Sequence, residues 1–168
     1  MNRLVRLLRH RWYDELDTRR ALPHAALERI ARHVKESETR HTGEIRVYVE
    51  AGLPLSYLWR GLSPRQRALT LFGKLRVWDT EHNNGVLIYL LLAEHRIEIV
   101  ADRGLNRHVE SSHWSSVLHG MRAAFQAGHF EEGLHAAIDA VSERLAERFP
   151  LQPGQVRSNE LPDFPILG

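Results

Sequence analysis

Residues Val86 to Leu92 read Val-Leu-Ile-Tyr-Leu-Leu-Leu, apolar on both alternating faces. A strand with one wet face alternates; a strand that does not must be covered twice, as a central strand is between two helical layers. The apolar run ends at Ala93, far short of the ~20 residues that span a bilayer. After Ala93-Glu94-His95, an interval short enough for a hairpin, Arg96-Ile97-Glu98-Ile99-Val100 returns as a second strand, antiparallel to the first.

The rest of the chain supplies the covering layers. Pro23 opens a helix in which Leu27, Ile30, Ala31 and Val34 recur at helical spacing, and Thr42-Gly43 stops it. In Glu44 to Glu50, Ile45, Val47 and Val49 alternate with Glu44, Arg46, Tyr48 and Glu50, the pattern of a half-buried strand. Ser63-Pro64 is an N-cap followed by proline at the first helical position, with Ala68, Leu69, Phe72 and Leu75 as the inner face. Two further helices carry Trp114, Val117, Leu118, Met121 and Phe125, then Phe130, Leu134, Ala137, Ile138, Val141, Leu145 and Phe149, with Gly128 between them.

This order predicts the α/β class: a three-layer α/β/α sandwich around a small mixed sheet that contains a β-hairpin. At 168 residues, 43% hydrophobic and 26% charged, the chain has the size and balance of one globular domain. We divide it into a basic amphipathic helix over 1–22, an α/β domain over 23–149 and an irregular, proline-rich tail over 150–168. The tail segment Leu161 to Leu167 is more apolar than a solubilising tail requires. It either packs back on the domain or serves as a docking peptide.

Charge and cysteine content exclude several functions. The formal net charge is only +2, and acids are mixed among the bases, so no nucleic-acid footprint is expected. There is no cysteine, which removes thiolate catalysis and Cys-based metal sites. The exception to the mixing is the N-terminus, where Arg3, Arg6, Arg9, His10 and Arg11 interleave with Leu4, Val5, Leu7 and Leu8. Either its leucine side docks on the domain, or Met1 to Trp12 makes peripheral contact with anionic lipid. Charges interrupt the segment too often for a secretory leader, so a cytoplasmic location is expected, with membrane association as an addition.

No Gly-rich phosphate loop, GxSxG elbow or HExxH motif occurs. Among the histidines, His108, His113, His129 and His135 form no i, i+4 pair with a third ligand and read as surface residues. The concentrated polar chemistry lies in the loop Asp79-Thr80-Glu81-His82-Asn83-Asn84-Gly85, which leads into the central strand. Its carboxylates and amides suit a hard cation, although the EF-hand spacing is not met. The same letters suit a plain turn, because Asn and Asp bond to local backbone and Asn-Gly is a common tight-turn pair. An antiparallel hairpin returns Asp102 and Arg103 to the edge where the loop begins. The candidate ligands are therefore Asp79, Glu81, Asn83, Asn84 and Asp102 for Ca²⁺ or Mg²⁺, with no organic cofactor. Phosphate ester hydrolysis there needs Asp79 or Asp102 as nucleophile or metal ligand and Arg103 as phosphate clamp, with His82 as candidate acid.

The pattern Phe72, Trp78-Asp79, Asn83-Asn84-Gly85-Val86-Leu87-Ile88, Arg96-Ile97-Glu98-Ile99, Asp102-Arg103-Gly104-Leu105 resembles the TPM domain. The stretch Phe125 to Leu134 is similar to that family's helix-break-helix close, and the resemblance runs from about Leu27 to Phe149. It implies a Rossmann-like α/β/α sandwich without a dinucleotide site. Members in photosynthetic lumens are described as acid phosphatases, some bacterial members bind calcium, and many have no known activity. The resemblance also implies a membrane partner, since bacterial members often occur beside a LemA-type protein. Members usually carry a leader and a membrane helix, and the pattern of this sequence leads us to expect neither. Two departures matter at the loop: Asn83-Asn84-Gly85 stands where many members read Asp-Asn-Gly, and Ala101-Asp102-Arg103-Gly104 replaces a Gly-Tyr-Gly run.

Overall fold

The apolar run forms the middle of the sheet. The computed structural model describes residues 3–109, 111–156 and 158–168, and the side chains of residues 3, 15, 111–113, 115 and 122 lie outside that description. Strand β1 (Glu44–Glu50) lies parallel to β2 (Gly85–Leu91), and β2 is antiparallel to β3 (Arg96–Ala101). A two-residue strand, β4 (Ile166–Leu167), lies parallel to β1 on its other side, so the order is β3-β2-β1-β4. All seven residues of β2 are buried, as its lack of alternation requires.

Helices α1 (Arg3–Trp12) and α2 (Glu15–Ala21) precede α3 (His24–Ser37), and α4 (Leu55–Trp59) and α5 (Pro64–Lys74) separate β1 from β2. A short α6 (Arg103–Asn106) follows β3, and α7 (Ser111–Gln126) and α8 (Phe130–Arg148) close the domain. One sheet face carries Ile45, Val47, Val49, Val86, Ile88 and Leu90 against α3, α7 and α8. The other carries Tyr48, Leu87, Tyr89 and Leu91 against Leu58 of α4 and Ala68 and Leu71 of α5. The three-layer sandwich read from the sequence is the architecture observed.

Three local expectations change. The N-terminal segment is two helices, because Asp14 leaves helical geometry to cap α2, accepting from the Leu16 and Asp17 amides. Residues 1 and 2 of the anticipated lipid-facing segment lie outside the described residues. The leucine side of α1 does not dock as a block either: Leu4, Val5 and Leu8 stay exposed, and polar contacts hold the helix instead.

Strand β1, read as half-buried, is buried along all seven residues. Its polar face is covered, and each charged residue finds a partner there. Glu44 accepts the Leu161 amide, Arg46 donates to the Pro162 and Phe164 carbonyls, and Glu50 takes Arg67 and the Tyr89 hydroxyl. Burial lowers the pKa of the Arg46 guanidinium, and the charge of Asp163 works against that. The tail thus packs back on the domain. It covers the β1 edge that would otherwise expose unpaired backbone, with Gly168 N donating to Val49 O at 2.9 Å.

Candidate functional site at the amino edge of the sheet

The loop from Asp79 to Gly85 is held by its own hydroxyl and by three neighbours. Thr80 Oγ1 accepts the Asn84 amide at 3.1 Å, closing the loop on itself. Asn83 sits in the left-handed region (φ 51°), which Asn tolerates better than most residues. Its carbonyl accepts the Gly104 amide at 2.9 Å, and Asp102 N donates to Gly85 O at 2.9 Å. Asn84 Nδ2 donates to Thr42 Oγ1 at 3.2 Å, just before β1. The Glu81 amide donates to the Glu160 carboxylate at 3.1 Å, so the tail also reaches the loop.

The close approach of the two sequence-distant halves depends on glycine at Gly104. A Cβ there would lie 2.4 Å from the Asn83 carbonyl oxygen, a contact with backbone that cannot be relieved by a rotamer change. At Gly85 a Cβ would lie 1.9 Å from the Val77 carbonyl oxygen. The Asn-Gly pair therefore does more than turn the chain, since its glycine lets the preceding segment pass against the start of β2.

The five candidate ligands separate into three kinds. Asn84 and Asp102 are buried (1% and 8% exposed), and each has one side-chain oxygen, Oδ1 of Asn84 and Oδ2 of Asp102, with no hydrogen-bond partner among the described residues. The other Asp102 oxygen accepts the Arg103 amide at 2.7 Å as the cap of α6. Asn83 turns its side-chain oxygen to Arg103, whose guanidinium donates to it at 3.2 Å, so it positions rather than offers a ligand. Asp79 and Glu81 are exposed, as is His82, and none of the three touches Asp102 in a hydrogen bond or ion pair among the described residues. Among the described residues no group of three or more His, Cys, Asp or Glu is placed to hold a metal.

In open α/β sheets, ligands gather beyond the carboxyl ends of the strands. Parallel register pairs Glu44 with Gly85, so the loop lies at the opposite, amino end of β1 and β2. The carboxyl end holds a cluster that the sequence did not bring together. There Glu94 accepts from Arg6 Nε at 2.8 Å, and His10 Nε2 lies 3.0 Å from the same carboxylate oxygen. The Leu53 amide donates to His10 Nδ1 at 3.0 Å, which leaves the ring proton on Nε2, facing Glu94. Burial works to raise the pKa of Glu94, but the hydrogen bonds from His10 and Arg6 prevail and hold it at about 2. The available signal was Arg6 and His10, one turn apart on a helix without acids. A second buried cluster joins Glu50 to Arg67 (2.5 Å) and to the Tyr89 hydroxyl (2.7 Å). Burial, then the Glu50 charge, pushes the Tyr89 hydroxyl far above the usual phenol range.

The histidine reading holds only in part. His108 and His129 are exposed and His135 is half-buried, while the side chain of His113 lies outside the described residues. His10 and His41, however, are buried and partnered; His41 Nε2 lies 2.9 Å from Ser142 Oγ, and its Nδ1 faces the Gly43 carbonyl. That Ser–His pair lies in the core, with both residues 0% exposed, and no substrate reaches it.

A family model for the TPM domain matches residues 16–144, from α2 into α8 and through every residue of the loop and the Asp102 turn. The chain belongs to the TPM domain family. Its fold is similar to the NMR structure of the BA42 protein from the psychrophilic bacterium Bizionia argentinensis, with a TM-score of 0.75 and 27% identity. That similarity covers 88% of this chain and 95% of the other. No curated protein matches the sequence. In this TPM domain, α1 and the tail lie outside the residues matched by the family model, yet they supply Arg6, His10 and Glu160 to the contacts above. No helix among the described residues is long and apolar enough to cross a membrane.

Proposed function

We propose that this TPM domain is a non-catalytic module that binds a hard divalent cation, Ca²⁺ or Mg²⁺, at the amino edge of its sheet. One observation supports the reading: Asn84 Oδ1 and Asp102 Oδ2 are buried oxygens without hydrogen-bond partners among the described residues, on segments joined by the Asp102–Gly85 and Gly104–Asn83 backbone bonds. A buried acceptor left unpaired costs about 1–3 kcal/mol, more when charged, and a cation offsets that cost. Both atoms are the hard oxygen donors that these ions prefer. The exposed carboxylates of Asp79 and Glu81 lie on the same loop and are candidates to complete the ligand set, while Asn83 holds Arg103. With few charged ligands, the affinity falls in the weak range, about 10⁻⁴–10⁻³ M.

The test is a two-dimensional amide NMR titration with CaCl₂ and, separately, MgCl₂. Shifts confined to Asn84, Gly85, Asp102 and their bonded neighbours are expected, and Asp102→Asn removes them. In the ion-free protein the same substitution should cost little stability, because Asn keeps the side-chain oxygen that caps α6. Amides that do not move at ~10 mM of either ion refute the reading.

A second reading, metal-assisted acid phosphatase, draws on Arg103, which follows Asp102 in the chain and whose exposed guanidinium donates to Asn83 of the loop. Arg103 clamps the phosphate, and Asp102 or Asp79 serves as nucleophile or metal ligand. Full phosphatase activity in both Asp79→Ala and Asp102→Ala proteins removes it.

A further inference from the structure

Helix α1 is fastened to the domain by polar atoms. Arg6 donates to Glu94 and to the Leu62 carbonyl, and His10 bridges Glu94 and the Leu53 amide. That anchoring turns Leu4, Leu8 and Trp12, spaced one turn apart, outward; they are 67%, 55% and 84% exposed. On the adjacent α4, Leu55 and Trp59 repeat the arrangement at 58% and 68%. Between the two ridges runs a cleft of about 380 Å³ whose apolar lining includes Leu7, Leu8, Leu53, Leu55 and Leu58. Monomers seldom leave so many large apolar side chains together on one surface without a use for them.

We propose that this cleft and its two ridges seat the domain on an anionic lipid bilayer. Charge selects the occupant. Helix α1 contains Arg3, Arg6, Arg9 and Arg11 and no acid, and the stretch from Leu53 to Leu62 adds Arg60 and again no acid. Glu94 neutralises Arg6, which leaves Arg9, Arg11 and Arg60 exposed beside the ridges. Asp14, at one end of the cleft, is engaged as the cap of α2. Leucine in the middle, tryptophan at the ends and arginine at the flanks is the composition of an element lying in the headgroup layer. A protein partner or a second copy would require acidic side chains opposite those arginines; a leaflet of anionic headgroups supplies them continuously. The paired ridges insert to acyl depth, and the cleft between them admits part of a lipid chain.

The experiment is co-sedimentation of the full chain with phosphatidylcholine vesicles and with vesicles that also contain phosphatidylglycerol. Binding to the mixed vesicles is expected, at least about tenfold weaker on phosphatidylcholine alone and weakened by salt. Tryptophan emission should shift to the blue and be quenched by brominated lipid. The Leu8→Ser/Trp12→Ser and Leu55→Ser/Trp59→Ser proteins alter exposed residues only, and each should bind about tenfold or more weakly. Trp78→Ser, beside the Asp79 loop, should bind as the parent does. Failure to bind the mixed vesicles overturns the proposal. So does undiminished binding by both double variants, or a self-association in solution that they abolish, which would assign the surface to a second copy. The cation titration reads other residues, so either reading can fail alone.

Discussion

Replacing Glu94 by Gln tests the physical basis on which α1 is docked. The Glu94 carboxyl titrates at about 2 in the folded protein against an ordinary value of 4.5, and its side chain is only 12% exposed. A downward shift of that size corresponds to a contribution on the order of 3 kcal/mol at neutral pH, at 1.36 kcal/mol per unit. The pKa is depressed on folding, so the contribution is present above the unfolded-state value. It is lost as pH falls from about 4.5 through about 2, and less than half should remain near pH 3. Glu94→Gln keeps the shape and one acceptor oxygen but removes the charge. It should therefore lower stability by up to about 3 kcal/mol at pH 7, or roughly 6–12 °C in melting temperature for a chain of this size.

The assay is urea denaturation of both proteins between pH 7 and pH 3, followed by circular dichroism. Amide exchange at Leu53, which donates to His10, reports undocking of α1 without global unfolding. The two stabilities should converge as the parent's Glu94 takes up its proton. A difference that stays constant from pH 7 to pH 3 would refute the reasoning, because it would show that Glu94 acts through shape and not through charge.

Arg67→Met leaves the Glu50 carboxylate, 4% exposed, with the Tyr89 hydroxyl as its remaining hydrogen-bond donor among the described residues, and should cost about 3–5 kcal/mol in chemical denaturation. The Glu50→Gln/Arg67→Met protein should recover a large part of that loss, since the uncompensated charge is gone. Gly104→Ala places a Cβ against the Asn83 carbonyl and should cost about 1–3 kcal/mol, with the Asn83, Asn84 and Gly85 amides moving together in NMR spectra. Arg46→Ala releases the Pro162 and Phe164 carbonyls; protease cleavage between 158 and 165 and faster exchange at Gly168 should follow, with α8 unaffected.

How far the site was legible follows from the reach of each signal. The loop and the Asp102 turn could be placed together because two strands joined by a short hairpin fix which of their ends meet. The Gly104–Asn83 bond bears that placement out. Which oxygens stay unpaired was not legible. Asn83 and Asn84 are adjacent and chemically identical, yet one side chain turns to Arg103 and the other is buried beside Thr42. The left-handed backbone at Asn83 sends the two side chains to different neighbours.

By itself the sequence determined the class of fold, since Val86 to Leu92 has no face fit for water and must be covered twice. It also determined where helices begin, as at Ser63-Pro64, whose side chain caps the Gln66 amide as its letters predict. The tertiary structure decided what covers the second face of β1. Alternation in Glu44 to Glu50 correctly sorts the residues into two faces, but periodicity reports polarity and not what lies above it. Burial of the polar face depends on Arg67 from α5 and on the tail arriving from the far end of the chain. Partners that distant leave no local trace in the strand they cover. The same limit applies to α1: its amphipathic pattern was plain, while Glu94 and the backbone of Leu53 and Leu62 decided that Arg6 and His10 would face the domain and Leu4 and Leu8 the outside.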